Sequence, residues 1–172
     1  MPGVSSPLSA LETPQTMPKP SLNKPAPDFT APVSGGTNVT PSELRGKTVV
    51  LYFYPKDDTP GCTKQACDIR DNFEELKEMG MDVIGVSKDD MASHTKFKTK
   101  HKLPFDILAD PNHEMIESYG AWQERSMYGR KFFGTQRSAI IVGPDLKIAA
   151  VWSKIQPLKT VPEAKKWLEE NN

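Results

Sequence analysis

The run Thr48-Val49-Val50-Leu51-Tyr52-Phe53-Tyr54 is apolar at nearly every position. A strand with one wet face alternates apolar and polar residues, so an unbroken run describes a strand covered on both sides. A second such run, Asp82-Val83-Ile84-Gly85-Val86-Ser87, follows a segment with helical spacing (Ile69, Phe73, Leu76) that ends at Met79-Gly80. Strand, helix and strand in that order place the two strands parallel, because the connection crosses over the sheet. A helix from Met91 to about His101, a short strand over Leu103–Leu108, a turn at Ala109-Asp110-Pro111 and a helix capped by Asn112 and ending at Tyr119-Gly120 continue the alternation. Strands over Arg137–Gly143 and Lys147–Trp152 then form a hairpin at Pro144-Asp145-Leu146, and a final helix starts at Thr160 with Ala164, Trp167 and Leu168 on its core face. The chain between Ala121 and Gln136 reads as a loop whose Trp122, Met127, Tyr128, Phe132 and Phe133 either pack on the core, the favoured reading, or border a pocket. The class is α/β.

Ahead of this core, Pro25-Ala26-Pro27-Asp28-Phe29 opens the ordered part. Gly35-Gly36-Thr37 between Thr30–Val33 and Asn38–Thr40 predicts a short N-terminal hairpin, and Ser42-Glu43-Leu44 a helical turn ending near Gly46. Residues 1–24 are rich in Pro and Ser and predict a disordered tail, leaving one domain over residues 25–172. The tail has neither the basic start nor the apolar stretch of a secretory leader, so a cytoplasmic protein is expected. The formal net charge is zero, which suggests neither a nucleic-acid nor an anionic-membrane partner. Two cysteines are too few for a secreted disulfide scaffold or a structural zinc site, and His94, His101 and His113 do not complete a ligand set. No metal and no cofactor are expected. His94 and His101 share a helical face with nothing nearby in sequence to ligate, so no role is expected of them, and the lysines around them read as a solvated face.

Both cysteines fall where the first strand gives way to its helix, in Pro55-Lys56-Asp57-Asp58-Thr59-Pro60-Gly61-Cys62-Thr63-Lys64-Gln65-Ala66-Cys67. Thr59 suits the cap, Pro60 the first helical position, and Gly61 a close approach of backbone to a small substrate. Cys62 then lies in the first turn, among free N–H donors at the positive end of the helix dipole, where a thiolate is favoured over a thiol. An exposed helix terminus supplies roughly 0.3–1 kcal/mol. Moving a cysteine thiol from ~8.5 to ~6 needs roughly 3.4 kcal/mol. A nearby cation is therefore expected. Cys67 follows five residues on. In an intact helix that spacing puts the two Cα atoms about 8.6 Å apart, beyond the roughly 4.4–6.8 Å that a disulfide spans. If the two thiols pair, the first turns of the helix must unwind.

With these residues in view the chain resembles the peroxiredoxins, and within them the bacterioferritin comigratory protein (PrxQ) group. The family pattern Pro-x-x-x-Thr-x-x-Cys is met by Pro55, Thr59 and Cys62, and the second cysteine of the group by Cys67. Arg137-Ser138-Ala139-Ile140-Ile141-Val142 stands where the family carries an arginine at the start of a late strand, which makes Arg137 the expected cation. The resemblance runs from about Lys24 to the C-terminus. It implies a thioredoxin-like fold, with a mixed sheet of about five strands flanked by helices. It also implies an antioxidant, thiol-dependent peroxidase that reduces hydrogen peroxide and organic hydroperoxides. Cys62 would be the peroxide-reacting thiol and pass through a sulfenic acid. Cys67 would resolve it as a Cys62–Cys67 disulfide, and thioredoxin or a similar dithiol would reduce that disulfide. Thr59, Arg137 and Pro55 would orient the peroxide, stabilise the thiolate and shape the pocket. A monomer is implied. A thiol–disulfide oxidoreductase is a weaker reading, because that chemistry favours Cys-x-x-Cys. A redox sensor would share the chemistry and differ in turnover.

Overall fold

A computed structural model describes residues 21–29, 31–32 and 38–171. Residues 1–20 of the expected 1–24 tail, and the Gly-Gly turn of the expected N-terminal hairpin, lie outside the described residues. The arms of that hairpin are present as β1 (Ala31–Pro32) and β2 (Asn38–Val39), paired antiparallel. A 3-10 turn over Pro41–Leu44 leads to β3 (Thr48–Phe53). Then come α1 (Pro60–Glu78), β4 (Met81–Ser87), α2 (Met91–His101), β5 (Asp106–Ala109) and α3 (Glu114–Ser118). Strands β6 (Trp122–Met127), β7 (Arg130–Thr135), β8 (Ser138–Val142) and β9 (Ile148–Trp152), a turn at Pro157–Lys159 and α4 (Thr160–Asn171) complete the order.

The central sheet has five strands in the order β5-β4-β3-β8-β9. β3, β4 and β5 run parallel, and β8 and β9 are antiparallel to their neighbours. The mixed sheet of about five strands that the resemblance implies is the one observed. β3 sits in the middle, and its pleat divides the core. Val50, Tyr52 and Tyr54 meet Cys62, Ala66 and Ile69 of α1 and Ala164 and Leu168 of α4 on one face. Val49, Leu51 and Phe53 meet Met115 and Ile116 of α3, with Phe29 and Leu44, on the other. Two covered faces are why the run carries no polar alternation. The edge of β9 begins paired: Asn23 N–H donates to Ile148 O, and Ile148 N–H to Lys24 O. Among the described residues no helix is long and apolar enough to cross a membrane.

Two expectations are corrected. The segment read as a loop is a β-hairpin, with Trp122 opposite Thr135 and Met127 opposite Arg130. Its two turn residues, Tyr128 and Gly129, both have positive φ (53° and 77°), the geometry that joins strands in a two-residue turn. Met127, Tyr128, Phe132 and Phe133 stand exposed on this ribbon rather than packed on the core. Asn112 does not cap α3. Asp110 does so from two positions earlier, its carboxylate accepting the Ile116 N–H at 2.7 Å. Burial, opposed by those amide hydrogen bonds, leaves the Asp110 carboxyl raised above its ordinary value.

Gly85 explains one break in the β-branched pattern of β4. A Cβ built there would lie 2.9 Å from Cζ of Tyr52, whose ring is fully buried and packed edge-on against Phe105. The ring has no solvent to swing into. Gly85→Ala is expected to lower unfolding stability by about 1–3 kcal/mol through overpacking, read as a lower midpoint in urea denaturation with an unchanged slope.

Candidate active site

α1 begins at Pro60 because Thr59, with extended backbone (φ −96°, ψ 157°), stops the helical path there, and proline needs no N–H in the first turn. Thr59 holds the cap position without the expected side-chain bond. Its hydroxyl donates back to Lys56 O at 2.9 Å, and only its carbonyl joins the helix, accepting the Thr63 N–H at 2.8 Å. The first-turn N–H groups around Gly61 and Cys62 therefore point outward without an intrahelical acceptor, as helix geometry requires.

Cys62 is 2% exposed, on the face of α1 turned to β3. Arg137, in the residue just before β8, reaches it: Nη2 lies 3.4 Å from Cys62 Sγ. The expected cation is thus in place. Nη1 of the same guanidinium donates to Gln65 Oε1 at 2.7 Å, and Gln65 Nε2 donates to Thr160 Oγ1 at 2.8 Å. Gln65 is wholly buried, so these two bonds satisfy both ends of its amide and hold the arginine over the thiol. Gln65 is not among the site residues expected from the sequence. Its signal was there: a polar residue one helical turn after Cys62, on the same apolar face. Gly61 has a reason besides the one expected. A Cβ there would stand 3.1 Å from Arg137 Nη2 and 3.7 Å from Pro157 Cγ, so the close approach it permits is that of the guanidinium. Pro55 and Arg137 line the same opening, a cleft of about 370 Å³ shared with Arg125, Gln156 and Pro157.

The loop that leads into α1 is anchored from below. Asp57, nearly buried, accepts from the Tyr54 hydroxyl at 2.5 Å and from Ser93 Oγ at 2.8 Å, and lies 2.7 Å from His94 Nδ1. His94 Nε2 faces Leu108 O at 2.9 Å, so both ring nitrogens meet acceptors and a proton is held between His94 and Asp57. The Asp57 N–H donates to Asp89, which also takes the Ser87 hydroxyl. Burial first, then the charges of Tyr52 and Asp57, push the Tyr54 phenol well above its ordinary range and keep it a donor. His94 was expected to carry no role. Here it is the pin beneath Pro55–Thr59, and its partner comes from another element.

Cys67 lies one and a half turns further along α1, partly buried, and both cysteines are free thiols. It faces α2 instead of Arg137: its Sγ is 3.9 Å from His101 Nδ1. The structure thus brings Cys62, Thr59, Pro55 and Arg137 to one end of α1 and sets Cys67 on a separate side of the same helix. Such a site sets a guanidinium against a buried thiol, can bind a small oxygen-bearing electrophile at free amides and that guanidinium, and can offer a second thiol after local rearrangement.

Residues 22–151 match the AhpC/TSA family. The chain is 43% identical over 131 residues to the putative peroxiredoxin bcp of Coxiella burnetii, covering 76% of this chain and 87% of that one. It is 38% identical over 146 residues to peroxiredoxin Bcp of Escherichia coli, covering 85% and 94%. Among solved structures it superposes on peroxiredoxin Q of Xanthomonas campestris with a TM-score of 0.73 at 30% identity, covering 83% of this chain and 88% of that one. BcpB of Mycobacterium tuberculosis gives 0.78 at 27% identity, covering 89% and 99%. An active-site helix led by Pro-x-x-x-Thr-x-x-Cys on this sheet, matched over most of its length by these proteins, places the chain in the AhpC/TSA family as a thiol-dependent peroxidase of the Bcp (PrxQ) peroxiredoxin group.

Proposed function

We propose that Cys62 is the peroxide-reacting thiol and Cys67 the thiol that resolves it, in a cycle confined to one chain. The observation that carries this is the guanidinium of Arg137 3.4 Å from Cys62 Sγ, at the amino end of α1. The Cys62 thiolate attacks the terminal oxygen of a hydroperoxide bound at the first-turn N–H groups, with Thr59 and Arg137 orienting it. The O–O bond breaks, the leaving oxygen departs as water or an alcohol, and Cys62 becomes a sulfenic acid. Arg137 stabilises the thiolate beforehand and the charge on the oxygens during attack. Pro55 closes one side of the opening. One solved relative, the bacterioferritin comigratory protein of X. campestris, is described by its alkyl peroxide reduction activity, which supports organic hydroperoxides among the substrates.

Resolution requires movement. α1 is regular from Pro60 to Glu78, so the two Cα atoms keep the helical separation of about 8.6 Å. The turns that carry Cys62 to Cys67 unwind, which releases Gln65 from Thr160 and Arg137 and Cys67 from His101. A disulfide then forms, and thioredoxin or a similar dithiol reduces it by exchange. In this reading the protein works as a monomer in the cytoplasm, and no metal or organic cofactor takes part.

The first test is intact mass and free-thiol count on reduced protein given one equivalent of hydrogen peroxide. Loss of both thiols and of two protons is expected, and none of it in Cys62→Ser; no fast change in the native protein would sink the proposal. Cys67→Ser should consume one equivalent of peroxide and stop at the sulfenic acid, trapped by dimedone; normal sustained turnover with thioredoxin would remove Cys67 from the cycle. Arg137→Ala should slow peroxide reduction by about 10²–10³, the usual effect of removing one aimed donor, and slow alkylation of Cys62 at neutral pH. Gln65→Leu should give a smaller loss in the same direction, because the arginine stays but its tether is gone.

A further inference from the structure

Three side chains from three segments meet around the second thiol. Cys67 Sγ on α1 lies 3.9 Å from Nδ1 of His101 at the end of α2, and His101 Nε2 lies 3.2 Å from Oδ1 of Asp58 in the turn before α1. Asp58 sits in the left-handed region (φ 59°), and its other carboxylate oxygen pairs with Lys100 Nζ at 2.9 Å. The hydrogen bond from Lys100, then that from His101, holds the Asp58 carboxyl below the usual carboxylate range. Asp58 is therefore ionised at neutral pH and can only accept. His101 Nε2 must donate to it. The lone pair of the neutral ring is then on Nδ1, aimed at the Cys67 thiol.

The ring has little freedom to turn away. Phe97 packs against it edge to face, with centroids 5.2 Å apart. Arg70 Nη1 donates to the His101 carbonyl at 2.8 Å and ties the end of α2 to α1. The side chain is 18% exposed, enough to exchange protons with water. Arg137 serves the other cysteine, and Arg70, the cation nearer Cys67, is engaged by the Asp71 carboxylate and the His101 carbonyl. A thiol attacks as its thiolate, and a base held in hydrogen-bond reach, with a third group fixing its tautomer, is the arrangement that supplies one.

We propose that His101 is the base of the resolving step and that Asp58 positions it; this rests on Cys67 being the resolving thiol. While α1 is still helical and the contact is intact, the Cys67 S–H bond breaks and its proton passes to Nδ1 of His101; the turns then unwind. The thiolate attacks the sulfur of the Cys62 sulfenic acid. The S–S bond forms as the S–O bond breaks, so the Cys67 sulfur is oxidised and the Cys62 sulfur reduced, and no other oxidant enters. The leaving hydroxide takes a proton from solvent and departs as water, and the imidazolium returns its proton to solvent. The turn that leads to the peroxide-reacting thiol thus also carries the carboxylate that prepares its partner.

The test separates the two chemical steps. Reduced native protein, His101→Gln and Asp58→Asn are mixed with one equivalent of hydrogen peroxide and acid-quenched over time. Sulfenic acid and disulfide are then counted by mass. Sulfenic acid should form at the native rate in both variants. Disulfide formation at pH 7 should be at least about tenfold slower in His101→Gln, at the low end of general-base contributions, with a smaller loss in Asp58→Asn. The deficit should shrink as pH rises and hydroxide replaces the base. The other charged groups around His101 (Asp58 on its Nε2, Lys100 on Asp58, and Arg70 on the His101 carbonyl with its ion-pair partner Asp71) are intact in His101→Gln. Disulfide formation at the native rate, or a deficit equal at every pH, would overturn the proposal. As a second measure, alkylation of Cys67 in Cys62→Ser should slow at neutral pH when His101→Gln is added, and an equal rate would also overturn it. Native turnover by Cys67→Ser would instead overturn the two-cysteine reading, and this proposal with it.

Discussion

Phe53 lies opposite Ser138 in the antiparallel pair of β3 with β8, and this register decides where Arg137 stands. The residue before Ser138 comes out of the sheet beside the point where β3 ends and the chain turns toward α1. An arginine there is brought to the amino end of a helix that begins far away in sequence. A slip of one residue would turn its side chain to the opposite face. The sheet therefore does more than support the site: its hydrogen-bond ladder measures the distance between a cation and a thiol. Gly61 completes the fit by leaving no side chain in the path of the guanidinium.

Around that contact, the polar groups are held by partners from distant elements. Gln65 joins α1 to α4 through Thr160 and to β8 through Arg137. Asp57 joins the loop after β3 to α2 through Ser93 and His94. Each is buried and each is bonded, as a buried polar group must be to avoid a desolvation cost of about 1–3 kcal/mol. The two sides of the site have distinct duties: the α4 side fixes the cation, and the α2 side fixes the loop.

The sheet was legible because its signals are local. The unbroken apolar runs of β3 and β4, the helical spacing between them, and the β8–β9 hairpin all lie within short windows. Cys62, Thr59, Pro55 and Arg137 were legible through a family pattern. The helix dipole alone is too weak to hold a thiolate and so calls for a cation, but the residue that supplies it is not marked by any local signal. His94 and His101 were dismissed because their partners, Asp57 and Asp58, lie 37 and 43 residues away in sequence, and no window reaches across that gap. The β6–β7 ribbon was missed for another reason. It packs neither face fully, so Gln123, Glu124, Arg125 and Ser126 show no apolar period. Its only turn signal is Tyr128-Gly129, where tyrosine is an unusual occupant of a positive-φ position.

Gln65 falls between the two cysteines, inside the stretch that a Cys62–Cys67 disulfide would force out of its helix. The bonds and contacts that this stretch makes as a helix would be absent from the disulfide form: the amide to Thr160 and Arg137, the Ala66 methyl in the core, and the Cys67 contact with His101. In the proposed cycle those bonds favour the reduced protein over the oxidised one. The disulfide is then a stronger oxidant than one joining the same two sulfurs in a relaxed chain, and a weaker dithiol suffices to open it. The packing of α1 against α4 thus acts as a setting of reduction potential, and refolding of the helix helps to drive each return to the dithiol.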